Sequence, residues 1–100
     1  MSPLEARLAA LAAAQQTTTY GVLARELGVR MADLTTALEA LMAQDAATSR
    51  PLQAVLCAGR LNNDQPAQGF FMAAAALGFD ISDPAAFVAN HRNRLFLEAK

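Results

Sequence analysis

The chain has 100 residues, a formal net charge of −1 and an apolar fraction of 54%. That length fits one domain with a modest core, and that apolar content excludes a disordered chain. The near-neutral charge excludes a global field that would draw the whole protein to phosphate.

Twenty-four of the apolar residues are alanine, which favours helix but buries little area, so the core must come from leucine, phenylalanine, methionine and valine. One isoleucine and four valines argue against an extensive sheet. The expected class is mainly α, in a single domain over residues 1–100. Cys57 is the only cysteine, which rules out an internal disulfide and a multi-cysteine metal site. No apolar run approaches the roughly 20 residues needed to span a membrane. The apolar start carries Glu5 and Arg7, unlike a signal peptide, so the expected compartment is the reducing cytoplasm.

Taken in order, Ser2-Pro3-Leu4-Glu5 reads as a helix start, with Ser2 as cap, Pro3 in the first turn and Glu5 completing a capping box. Leu4, Leu8 and Leu11 repeat at helical spacing up to about Ala14. Gln15 to Thr19 is a polar connector whose threonines can cap a helix beginning near Tyr20.

The stretch from Tyr20 to Met42 reads as two helices joined by a tight turn. Leu23, Ala24 and Leu27 face inward on the first helix, Gly28 ends it, and Val29 is the apolar residue of the turn. Leu34, Ala37, Leu38 and Leu41 are the expected buried face of the second, which should run from about Met31 to Asp45 and fray through Ser49. This spacing is that of a helix-turn-helix, with an ordinary αα-hairpin, which follows the same packing rules, as the alternative.

Leu52 to Cys57 is the most strand-like run, and Gly59 to Gln68, with Asn62-Asn63-Asp64 and Pro66, reads as a hairpin tip or an open loop. A helix over Phe70–Leu77, closed by Gly78, should turn Phe70, Ala74 and Leu77 inward. Asp83-Pro84 starts a last helix on which Phe87, Val88, His91 and Leu95 share a face. Asn90, Arg92, Asn93 and Arg94 are expected largely on the opposite side. The expected core is Leu8, Leu11, Leu23, Ala24, Leu27, Leu34, Leu38, Leu41, Val55, Phe70, Leu77, Phe87 and Leu95.

Two segments carry a family resemblance. Thr18-Thr19-Tyr20-Gly21-Val22-Leu23-Ala24, followed by Arg50-Pro51-Leu52-Gln53-Ala54-Val55-Leu56-Cys57, resembles the winged-helix domain of the DNA alkyltransferase repair proteins and their alkyltransferase-like relatives. Pro51 to Phe71, with its Gly-Phe-Phe, is also similar to a small winged-helix-like domain of bacterial proteins. The resemblance implies a winged-helix-like fold: a helix-turn-helix, a short strand or hairpin near 52–66 and two closing helices. It also implies DNA contact through the Tyr20 position. The family's Pro-Cys-His-Arg active site is missing, because Cys57 stands between Leu56 and Ala58.

The chemistry follows from that departure. A reactive thiolate needs a base or cation to lower its pKa, and only Arg60 is near Cys57 in sequence, so Cys57 is expected to be a small buried strand residue. His91 has no cysteine or second histidine at ligand spacing, and its expected role is packing or hydrogen bonding. Asp80 and Asp83 read as turn and cap. No catalytic, cofactor or metal residues are expected. The candidate nucleic-acid contacts are Tyr20, Arg30, Thr35, Thr36 and Arg60, with Arg50 at the base of the loop, while Asp33 and Glu39 oppose phosphate. The leading expectation is a small non-enzymatic DNA-binding protein whose partner is duplex DNA. The alternative is an interaction module of winged-helix shape that binds a protein partner or a second copy of itself, with Phe96 and Leu97 as candidate exposed apolar residues.

Overall fold

The fold is given by a computed structural model that describes residues 2–99. Among these residues it comprises five α-helices, a single 3-10 turn and two very short strands. The helices are α1 (Pro3–Ala13), α2 (Tyr20–Leu27), α3 (Met31–Ala47), α4 (Gln68–Ala76) and α5 (Pro84–Glu98). Strands β1 (Thr18–Thr19) and β2 (Cys57–Ala58) pair in parallel, with Thr18 opposite Cys57 and Thr19 opposite Ala58.

The start signals act locally as their chemistry dictates. Ser2 Oγ accepts from the Glu5 N–H at 3.1 Å, Thr19 Oγ1 from the Val22 N–H at 3.2 Å, and Asp83 Oδ1 from the Ala86 N–H at 3.2 Å. The helix ends share a device that the sequence displays only in part. In α1, α2, α3 and α4 the chain turns through one left-handed residue, and the next N–H reaches back five residues to a helix carbonyl. Gly28 (φ 68°) and Gly78 (φ 96°) take that conformation without steric cost, while Gln15 (φ 55°) and Ser49 (φ 56°) take it with a side chain.

The centre of the molecule is the segment from Pro51 to Ala58, in which every residue is buried. Helices α1, α3 and α5 all pack on its 3-10 turn, Gln53–Leu56. This corrects the expected strand over Leu52–Cys57 and the hairpin near 52–66. A segment enclosed by helices has no solvent face to alternate with, and side chains take its backbone donors. The Leu52 N–H donates to His91 Nδ1 at 2.9 Å, and the Gln53 N–H to Asp45 Oδ2 at 3.0 Å. Within it Cys57 and Ala58 form the strand, paired to β1 rather than to a following strand. Residues 59–65 form a compact turn closed by the Gly59 N–H on the Gln65 carbonyl at 2.9 Å.

Leucines 8, 11, 23, 34, 38 and 41 lie in the core with Ala24, Val55, Phe70 and Leu95, as expected, while Leu27 and Phe87 are half-buried against it. Leu77 is 38% exposed, because α4 ends at Ala76 and carries it past the core. Ala37 is exposed on the flank of a stripe centred on Leu34, Leu38, Leu41 and Asp45. Val29, in the turn before α3, is also exposed.

Arg92 overturns its expected outward position. It is buried, its Nε donates to the Val55 carbonyl at 2.7 Å, and Nη1 and Nη2 reach Asp64 Oδ2 and the Asp64 carbonyl at 3.0 and 2.9 Å. Thr17 Oγ1 donates to the other Asp64 oxygen at 3.2 Å. Asp64 therefore ties the connector before β1, the 59–65 turn and α5 together. No helix of the described residues is long and apolar enough to cross a membrane.

Candidate interaction site

The five candidate nucleic-acid residues lie on α2, at the start of α3 and along it, and in the 59–65 turn, and four of them already make a side-chain hydrogen bond or ion pair. Tyr20 opens α2, and its hydroxyl accepts the Ala67 N–H at 3.0 Å, which anchors the approach to α4. Burial pushes the phenol pKa up, against the opposing pull of that N–H. Arg30 is the N-cap residue of α3 and supplies no side-chain cap; its Nε instead pairs with Asp33 at 3.3 Å. Thr35 and Thr36 donate their hydroxyls to the carbonyls of Met31 and Ala32, each at 3.1 Å, as threonines inside helices commonly do. Each hydroxyl oxygen still has acceptor capacity, but its proton is committed.

Arg60 projects from the 59–65 turn, beside Leu61, which is 90% exposed. The turn brings Arg60 to the start of α2, where it lines a concavity with Arg25, Tyr20, Gly21, Val22 and Met31. Arg25 was not among the expected contacts. Neither arginine forms an ion pair among the described residues. Arg50 lies away from this region, in a hollow with Glu98 between α1 and α5.

A groove that sequence reasoning missed lies between α3 and α4. Its middle section encloses a cavity of about 230 Å³ lined almost wholly by carbon, with Met31, Leu38, Met42 and Phe70 on its walls and Thr35 and Glu39 at its edge. Tyr20 and Met31 carry it into the arginine-lined concavity. Glu39 and Gly69 carry it the other way, onto a shelf formed by Met72, Ala73, Ala76 and Leu77. Met31, Met72 and Leu77 are all exposed, Met72 by 65%. The available signal was that α3 has apolar residues at Met31 and Met42 as well as at Leu34, Leu38 and Leu41. That arc is wider than one packing partner can cover.

Cys57, His91 and Asp45 lie elsewhere and are built into the core. Cys57 is fully buried in β2, and burial pushes its thiol up to about 12, although Arg92 pulls the other way. His91 accepts the Leu52 N–H through Nδ1 and stacks against Phe87 at 4.5 Å, with Phe79 edge-on at 5.7 Å. Burial, reinforced by Arg94, lowers its pKa. Asp45 is buried and accepts from the Gln53 N–H and Nε2, while burial raises its pKa. Asp80 accepts the Ser82 N–H at 2.9 Å, a turn contact that lowers its pKa. Among the described residues no group of three or more His, Cys, Asp or Glu side chains is placed to hold a metal ion. No family model, curated protein or solved structure matches this chain.

Proposed function

We propose that this chain is a non-enzymatic protein-interaction module of winged-helix-like shape, with α2 and α3 as its helix-turn-helix and the 59–65 turn in the place of a wing. The groove between α3 and α4 carries the reading. It brings three exposed apolar side chains, Met31, Met72 and Leu77, onto one continuous surface. Apolar surface of that kind gains free energy when a partner covers it, whereas the Thr35 and Thr36 hydroxyl protons are already engaged and Arg30 Nε is paired with Asp33. The test is photo-crosslinking in a cell extract from a reactive side chain placed at Met72, with Leu97 on α5 as an exposed apolar control. The expected outcome is a discrete protein adduct from position 72 alone. Equal yields from both positions, or none from either, refute the reading.

Duplex DNA is the second reading, and one observation favours it. Arg25 and Arg60, both without ion pairs among the described residues, flank the start of α2 together with Tyr20. Two or three neutralised phosphates per monomer give a shallow salt dependence, with log K falling by about 2–3 per decade of salt. Titration of labelled duplex at low salt, repeated with Arg30→Ala and Arg60→Ala, decides this reading. Binding that both substitutions weaken supports it, and no binding at about 50 μM protein, within the range for non-specific complexes, excludes it.

A further inference from the structure

We propose that the partner of this groove is a second copy of the chain, bound across a two-fold axis that passes near Thr35. The inference rests on the interaction reading above and names its occupant. The argument is one of charge arranged along an apolar surface. Met31, Thr35 and Glu39 follow one another on a single face of α3, so Met31 and Glu39 are about 12 Å apart along the axis. Glu39 stands toward the Met72 end of the groove, and Arg25 and Arg60 stand beyond Met31 at the other. None of these three charges has an ion-pair partner among the described residues.

A two-fold axis requires that if residue i of one copy meets residue j of the other, then j also meets i. Laying two copies of α3 antiparallel about Thr35 satisfies this with opposite charges. Glu39 of each protomer comes to the Arg25–Arg60 end of its partner, and Met72 and Leu77 of each cover the apolar wall around Met31 and Val22. The pairing is made twice. A stable interface takes about 800 Å² per partner, which is about one-seventh of this chain's 5758 Å² surface and about one 30 × 27 Å face of it. The other apolar groove, between α1 and α3, offers no such match, because its rim acids are engaged: Glu5 with Ser2, and Asp33 with Arg30.

The experiment is a charge swap read by sedimentation equilibrium over a wide concentration range. The unmodified protein should dimerise, more weakly as salt is raised. Glu39→Arg alone, and Arg25→Glu with Arg60→Glu alone, each set like charges against each other twice and should weaken self-association by about tenfold or more. An equimolar mixture of the two should recover it as a heterodimer, since both contacts are then again of opposite sign. All three positions are exposed, so the variants should keep their fold, as circular dichroism will report. Met72→Lys should also abolish the dimer, through the apolar contact.

An unmodified protein that stays monomeric throughout, variants that dimerise as well as it does, or a mixture no better than its components overturns the proposal. The failures can be told apart by crosslinking from Met72. A monomer that yields an adduct with a different polypeptide overturns the self-association alone. A monomer that yields no adduct overturns the interaction reading as well.

Discussion

Replacing Arg92 by methionine tests the most consequential contact that the structure adds. Methionine keeps the apolar stem and removes the three donor nitrogens. One of these donates to the carbonyl of Val55, a fully buried residue, at 2.7 Å. A hydrogen bond from a charged donor is worth about 1.5–3 kcal/mol, and most of that is lost when the carbonyl is left dry and unpaired. The ion pair to Asp64 adds less. The Asp64 side chain is 64% exposed, so water can replace the guanidinium, and solvent screening limits that share to at most about 1 kcal/mol. The expected loss for Arg92→Met is therefore about 2–4 kcal/mol, against less than about 1 kcal/mol for Asp64→Asn. Asparagine also suits the left-handed φ of 64° at that position. Urea denaturation measures both: at a slope of about 1.5 kcal/mol/M, a loss of 3 kcal/mol moves the midpoint by about 2 M. Equal losses for the two variants refute the reasoning, because they place the energy in the ion pair and not in the buried carbonyl. So does an Arg92→Met loss below about 1 kcal/mol.

Three other outcomes follow from the same structure. Ser49→Gly should stabilise by about 0.5–1 kcal/mol in a thermal melt, since glycine relieves the left-handed strain at the end of α3 and loses somewhat more unfolded-state freedom. Leu23→Ala should cost about 2–5 kcal/mol, and Leu77→Ala well under half as much, because Leu23 is wholly buried and Leu77 stands at the groove edge. The His91 pKa is lowered in the folded state, so the unfolded chain takes up the proton first, and stability should fall as pH drops below about 6.5 toward the folded value. His91→Gln should flatten stability against pH between pH 7 and 5. A slope that the substitution leaves unchanged assigns the acid sensitivity to another group.

The helices were legible wherever a side chain announces an end. Ser2, Thr19 and Asp83 each cap the helix that follows, and Gly28 and Gly78 each close one. The ends of α1 and α3 use the same backbone device with Gln15 and Ser49, residues that carry no left-handed signature, so the end of α3 reads as fraying rather than as a formed motif. The segment 51–58 was misread for a related reason. Its apolar run is consistent with a buried strand or with any buried segment, and what decides between them is the placement of Asp45 and His91. Those partners lie 8 and 39 residues away in the chain, beyond any local pattern. Arg92 failed in the same way: helical periodicity put it outside, while the Val55 carbonyl and Asp64 hold it inside.

What the sequence could not show of the candidate residues is how far their polar atoms are already engaged. Tyr20, Thr35 and Arg60 line the groove and the concavity that continues it, and of the five candidates the first four, Tyr20, Arg30, Thr35 and Thr36, are tied to Ala67, Asp33, Met31 and Ala32 in turn. Bringing phosphate to Arg30 means exchanging an exposed i,i+3 ion pair, a small term, so that arginine remains recruitable. Moving Tyr20 means breaking the bond that seats the chain before α4, which a ligand would have to offset. What needs no such exchange is the apolar wall itself. Covering Met31, Met72 and Leu77 releases water and disrupts no hydrogen bond, and the unengaged charges Glu39, Arg25 and Arg60 stand at opposite ends of that wall, where they can set the orientation of whatever covers it.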